Sequence, residues 1–249
     1  MKPSGTADFG FERVSVADKG RRVRRVFESV AGSYDLMNDL MSFGLHRLWK
    51  RFAVHVSGAR AGACVLDLAT GTGDCAALFR DRVGATGHVT ACDINDAMLR
   101  RGRDLMLDSG KVTAIQFVQA DAECLPFADR SFDVVNIAFG LRNVTQRETA
   151  LAAMHRVLRY GGSLVILEFS QATLPLLARA YDRYSFDLIP ALGELVAGDR
   201  DSYRYLVESI RMFPDRKKLR QMIEGAGFTG VECFNLSGGT VAVHRGYRI

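Results

Sequence analysis

The residues best suited to chemistry begin at Asp67-Leu68-Ala69-Thr70-Gly71-Thr72-Gly73-Asp74. Val65 to Leu68 read as a short apolar strand, and a helical pattern starts at Asp74. Between them Gly71 and Gly73 permit a tight turn with no side chain in the way. A strand, a glycine turn and a helix start form a cradle for a nucleotide-like ligand, because free N–H groups at the helix start face a negative group. Gly71-x-Gly73-x-x-Ala76 also fits the dinucleotide fingerprint, so the turn alone is not specific. Asp93 ends the apolar run 88–92. It lies about 20 residues past the turn, where an acid accepts hydrogen bonds from ribose hydroxyls. A solvated loop aspartate is the plainer alternative. Asp121 follows a third run, 115–120, and suits either the amino group of adenine or an ordinary turn.

Further along, Phe139-Gly140-Leu141-Arg142-Asn143-Val144 follows a fourth apolar run, and Glu168 ends a fifth. Helical patterns separate these runs, at 96–107 and 147–158. Strands alternating with helices imply an α/β fold: a Rossmann-like, mostly parallel sheet with helices on both faces. Two closing strands, 231–236 and 240–247, joined by Gly238-Gly239, bring the expected sheet to seven. Ligands of such sheets bind beyond the carboxyl ends of the strands. Gly71, Asp93, Asp121, Arg142 and Glu168 should therefore converge on one rim.

Composition fits a soluble globular domain: 48% hydrophobic and 24% charged residues in 249. The net charge of +5 comes without an arginine-rich tail or a nucleic-acid motif, so no nucleic-acid partner is expected. No apolar run reaches the length of a membrane span, and residues 1–20 lack a signal-peptide core. The five cysteines show no paired spacing, which fits reduced thiols in the cytoplasm. Histidines and acids show no metal-ligand spacing, so no metal site is expected.

Residues 1–20 read as disordered and 21–249 as one domain. Lys19 to Arg25 carries five positive charges, read either as a solvated helix face or as attraction to an anionic membrane surface. The stretch 33–49 mixes Leu36, Leu40, Leu48 and Trp49 with Tyr34, Asp35, Asn38 and His46. That mixture reads as a lid, spanning about 21–57, over a pocket. His46 by itself reads as a structural hydrogen-bonding histidine before it reads as a catalyst. The segment 171–213, with Leu174, Tyr181, Tyr184, Phe186, Tyr203 and Tyr205, reads as a helical insertion covering the rim.

These residues closely resemble a known family. Asp67-x-Ala-x-Gly-Thr-Gly-Asp74, Asp93, Leu125-Pro126-Phe127, Phe132-Asp133 and Val157-Leu158-x-x-Gly161-Gly162 resemble a class I S-adenosylmethionine-dependent methyltransferase. Tyr34-Asp35-x-Met37-Asn38-x-x-Met41-Ser42-x-x-x-His46-x-x-Trp49, the 139–144 motif, Glu168-Phe169-Ser170 and Asp201-Ser202-Tyr203-x-Tyr205-Leu206-x-Glu208-Ser209-Ile210 narrow it to the ubiquinone/menaquinone biosynthesis C-methyltransferases. The resemblance runs from about Val26 to the C-terminus. Three positions depart from the pattern. Thr70 replaces a usual glycine, so a positive φ would be strained there. Ala138 replaces a frequent serine, removing a hydroxyl contact to the donor. Arg159-Tyr160 replaces a common Lys-Pro.

The resemblance implies methylation of a ring carbon on a polyprenylated quinol, with S-adenosylmethionine as methyl donor. It implies 2-methoxy-6-polyprenyl-1,4-benzoquinol and demethylmenaquinol as acceptors. It places Asp67, Gly71, Thr72, Gly73 and Asp93 at the donor, with Asp121 and Ala122 beside its adenine. The chemistry needs the ring carbon held in line with the methyl–sulfur bond and the phenolate charge stabilised. Arg142 is the first choice for that charge, since guanidinium stays positive; its alternative is a salt bridge with a nearby acid. Asn143 is expected to orient the ring or a water, and Tyr34 and His46 to be secondary candidates for proton transfer. The polyprenyl tail calls for an apolar surface, expected from 174–189 and from Met37 and Met41. An enzyme handling such a tail is expected in the cytoplasm, visiting the inner membrane surface or a membrane-bound complex; self-association stays open. The rivals are an O-methyltransferase, a nicotinamide-dependent oxidoreductase and a binding subunit without turnover.

Overall fold

The computed structural model describes residues 5–30, 32, 34–111, 113–171 and 189–249, with only the backbone of Tyr34, Asp35 and Ala197. Apolar runs rich in β-branched residues make the strands β3 (Cys64–Leu68), β4 (His88–Asp93), β5 (Ile115–Gln119), β6 (Phe132–Ala138), β7 (Leu158–Phe169), β8 (Thr229–Leu236) and β9 (Val241–Tyr247). They form one sheet in the order β5-β4-β3-β6-β7-β9-β8. The first five are parallel, while β9 runs antiparallel to both β7 and β8. Side chains alternate across it. Leu66, Leu68, Val135, Ile137, Leu164 and Ile166 pack on α6 (Arg147–Val157) and α9 (Arg216–Gly225). Val65, Val89, Ala91 and Val134 pack on the other face against Phe79 and Val83 of α4 (Asp74–Val83). Helix α5 (Asp96–Asp108) follows β4 and is capped by the Asn95 side chain, which accepts from the Met98 N–H at 3.2 Å.

The N-terminal region differs from the expected disorder. Thr6–Phe9 (β1) and Glu12–Ser15 (β2) pair as an antiparallel hairpin leading into α1 (Val16–Val30). Such short polar strands have no core of their own; here they lean on α1 and on α8 (Arg200–Met212). The expected solvated basic face of α1 is also incomplete, because Lys19 is only 2% exposed. Its ammonium donates to the Val144 carbonyl at 3.2 Å, and burial lowers its pKa to about 8. Helices α1, α2 (Tyr34–Ser42) and α3 (Leu45–Val56) all face the cavities described below, α3 through His46, Trp49 and Lys50, and α3 also packs Trp49 and Ala53 onto Val165, Leu167, Val241 and Val243. Helix α7 (Ile189–Ala197) precedes α8. The apolar residues 174–188 of the expected insertion lie outside the described residues. Among the described residues no helix is long and apolar enough to cross a membrane.

Candidate active site

Chain order reverses between β3 and β6, which leaves a crevice beyond their carboxyl ends. Each strand is followed there by a non-glycine residue with positive φ, Ala69 at 49° and Phe139 at 55°. An L-residue in that region costs about 1–2 kcal/mol, and such strain clusters at functional sites. Thr70, expected to carry the strain, escapes it. The left-handed turn falls one residue earlier, and the Thr70 hydroxyl donates to Asp67 Oδ2 at 2.6 Å. Gly140 is required because a Cβ there would collide with that of Ala69.

Two cavities meet at the crevice. The smaller, about 950 Å³ including its open mouth, is lined by Gly71, Asp93, Ile94, Asp121 and Ala122. The larger, about 1300 Å³ including its mouth, is lined by Met37, Met41, His46, Trp49, Asp67, Thr72, Arg142 and Phe169 among others. Phe27 of α1, Ala69, Ala138, Phe139 and Asn143 line both. The residues expected at the donor thus gather at one crevice, with Asp67 and Thr72 on the larger side. Gly73 stands at the start of α4 with φ 89°.

Asp93 is fixed from two sides. Its carboxylate accepts the Gly71 N–H at 2.9 Å and the Asn95 N–H at 2.9 Å, and burial raises its pKa. Asp121 is exposed, and its Oδ1 accepts the Glu123 N–H at 2.9 Å. Helix α5 presses on the glycine turn at Gly102, where a Cβ would stand 3.0 Å from the Thr72 carbonyl carbon. Asp67 and Asn136 are lateral partners in the β3–β6 register, so the Asn136 amide donates to Asp67 Oδ1 at 2.6 Å. Burial nevertheless raises the Asp67 pKa to about 6.

On the larger cavity's wall, His46 Nε2 meets Asp39 Oδ1 at 2.8 Å, and Arg47 grips the same carboxylate through two bonds. The Arg47 bonds hold Asp39 down to about 2, and burial lowers the His46 pKa. A neutral imidazole with its proton toward Asp39 leaves a lone pair on Nδ1, which is buried without a partner among the described residues. Lys50 Nζ donates to Asp74 Oδ2 at 2.7 Å. Tyr34 opens α2, its side chain outside the described residues.

Arg142 takes the alternative foreseen for it, a salt bridge. Its Nη1 donates to Glu168 Oε1 at 2.9 Å and to the Phe139 carbonyl, and its backbone N–H donates to Glu168 Oε2 at 3.2 Å. Much of its charge is spent inside the protein, although it still lines the larger cavity. Asn143 Oδ1 accepts the Tyr205 hydroxyl at 3.0 Å. Sequence reasoning passed over Phe27 and Asn136, and placed Tyr205 in the covering insertion and a family motif without giving it a role. Asn136 carried a signal, as a polar residue inside an apolar strand run; Phe27 looked like an ordinary apolar stripe residue. Among the described residues no three His, Cys, Asp or Glu side chains gather as a metal-ligand set.

Comparison with known proteins decides the family. The model of the ubiE/COQ5 methyltransferase family matches residues 15–248. The chain belongs to that family. A Methylococcus capsulatus relative named ubiquinone/menaquinone biosynthesis C-methyltransferase UbiE is 57% identical over 243 residues, 98% of each chain. A relative of the same name from Klebsiella pneumoniae is 56% identical over 98% of this chain and 97% of its own. Among solved structures, a SAM-dependent methyltransferase from Aquifex aeolicus superposes with a TM-score of 0.64, at 16% identity, over 86% of this chain and 98% of its own. That likeness shows a shared class I methyltransferase fold. The ubiE/COQ5 family and its fold imply use of S-adenosylmethionine. The smaller cavity has a lining that suits that donor: the glycine turn leaves room, the Asp93 carboxylate lies on the wall, and Ile94 and Ala122 add apolar surface.

Proposed function

We propose that the chain transfers a methyl group from S-adenosylmethionine to a ring carbon of a polyprenylated quinol, with 2-methoxy-6-polyprenyl-1,4-benzoquinol and demethylmenaquinol as acceptors. The observation that carries this reading is the junction of the two cavities. A nucleoside-suited pocket and a larger, mostly apolar one share a wall at Ala69, Ala138, Phe139 and Asn143. The relatives named above support the same chemistry. Asp93, Asp121, Ala122 and Gly71 would hold the nucleoside end, and Asp67, Thr72 and Gly73 the end reaching toward the acceptor. When bound, the donor supplies an electrophilic methyl group on its sulfonium.

The protein's part is to hold and activate the acceptor ring. Phe139 and Phe169, with centroids 4.7 Å apart, and Trp49 give the larger cavity aromatic walls. Loss of the quinol hydroxyl proton raises electron density on the neighbouring ring carbon. His46, on the cavity wall, is assigned to take that proton, with Asp39 beside its ring to stabilise the resulting cation. Tyr34 is the second candidate. Asn143 donates to the phenolate oxygen, and Arg142 adds positive potential from behind its Glu168 partner. After transfer the ring proton leaves to water. Ala138 contributes only a methyl group to the shared wall.

Leu36, Leu40, Phe43 and Leu48 stand exposed on α2, α3 and the turn between them, next to the larger cavity. They support brief contact with a lipid surface from which a prenylated quinol is drawn. Calorimetry tests the donor: S-adenosylhomocysteine should bind and NADH should not, and the reverse would return the oxidoreductase reading. Labelled methyl recovered on carbon of the quinol confirms the acceptor chemistry, whereas methyl on oxygen overturns it.

A further inference from the structure

The hairpin at the N-terminus and Tyr205 have no part in the assignments above. Helix α8 carries Tyr205 to the wall of the larger cavity, 6% exposed. Its hydroxyl donates to Asn143 Oδ1 at 3.0 Å. Its ring lies on that of Phe9 in β1, centroids 4.2 Å apart and planes within 16°. The hairpin is tied to the same helix, because the Phe11 N–H donates to Glu208 Oε2 at 3.1 Å.

Among the described residues five line both cavities, and Asn143 is the only polar one of them. A carboxamide presents either a donor or an acceptor, depending on which end faces the ligand. With Oδ1 engaged by Tyr205, the nitrogen is the end left for the crevice. A donor there stabilises a phenolate oxygen, and a carbonyl there would repel it. Burial pushes the Tyr205 phenol up to about 12, so it keeps the proton it donates. We propose that Tyr205 is a positioning residue that turns the Asn143 nitrogen toward the acceptor oxygen, and that Phe9 of the N-terminal hairpin braces Tyr205 for this task. This inference rests on the quinol reading for its chemistry.

Tyr205→Phe keeps the ring and the stack and deletes only the hydroxyl. For methyl transfer to demethylmenaquinol, kcat should fall about tenfold, less than the roughly hundredfold or more of losing an oxyanion donor outright, because Asn143 stays in place but loses its orientation. The dissociation constant for S-adenosylhomocysteine should stay within about twofold, since the hydroxyl serves the acceptor side. In an Asn143→Ala background the same change should cost nothing further. The side-chain amide resonance of Asn143 should shift in Tyr205→Phe. Phe9→Leu, which keeps an apolar side chain but loses the stacked ring, should lower kcat by a smaller factor. Wild-type turnover in Tyr205→Phe, a multiplicative loss in the Asn143→Ala background, or an unmoved amide resonance would each overturn the role of Tyr205. Wild-type kcat in Phe9→Leu would overturn the brace. Inert wild-type protein would refute the quinol reading instead, and the amide resonance would still decide whether Tyr205 holds Asn143.

Discussion

Arg142 and Glu168 stand 2.9 Å apart inside the protein, their side chains 6% and 2% exposed. The pair joins the loop after β6 to the end of β7, directly behind the larger cavity. Removing one partner strands a buried charge, at a cost of about 3–5 kcal/mol. Arg142→Ala and Glu168→Ala should each lose stability on that scale in chemical denaturation. Arg142→Met with Glu168→Leu should regain much of it without regaining methyl transfer. A double variant as unstable as the single ones would show that the stability lies elsewhere.

Asp93 ties the glycine turn to β4 and lines the smaller cavity. Asp93→Asn keeps the shape but loses the charge proposed above to accept ribose hydroxyls. Affinity for S-adenosylhomocysteine should drop about tenfold or more, the scale of a charge-assisted hydrogen bond. Calorimetry at constant ionic strength measures this, and unchanged affinity would remove Asp93 from the donor site.

Ala69 bears a φ of 49° that glycine adopts at no steric cost. Ala69→Gly should therefore leave stability unchanged or raise it by up to about 1 kcal/mol. Gly140→Ala should do the opposite, because its new methyl meets Ala69. Thermal unfolding of the two variants provides the comparison, and equal effects would contradict the packing described for the crevice.

Asp67 is held near a pKa of about 6 by burial. Its ordinary value of 3.8 applies in the unfolded chain. Below pH 4 both states hold the proton. Between pH 4 and 6 the unfolded chain releases it while the folded protein keeps it, so stability falls as pH rises, then levels off above 6. Relative to Asp67→Asn, wild-type protein should lose on the order of 3 kcal/mol across that window. A pH-independent difference between the two would show that Asp67 titrates normally.

The strands and the rim were legible because their signals are local. Runs such as 88–92 and 132–138 are apolar over a strand's length, and the turn glycines and Asp93 sit at fixed distances from them. The hairpin at 6–15 was not legible: Thr-Ala-Asp-Phe and Glu-Arg-Val-Ser have no pattern that demands order, and only α1 and α8 supply it. Lys19 misled for a similar reason, since a basic run says nothing about which of its members a neighbouring loop will cover.

By itself, the sequence determined a parallel α/β sheet, a glycine turn with its acid, and a rim where distant motifs converge, because period, spacing and strand ends are properties of neighbouring residues. The tertiary structure alone decided how charge and hydrogen bonds are distributed on that rim. Arg142 finds Glu168 across 26 positions, and Tyr205 reaches Asn143 across 62. A side chain's role depends on the partner that folding brings to it, and such partners come from elements with no local trace of one another.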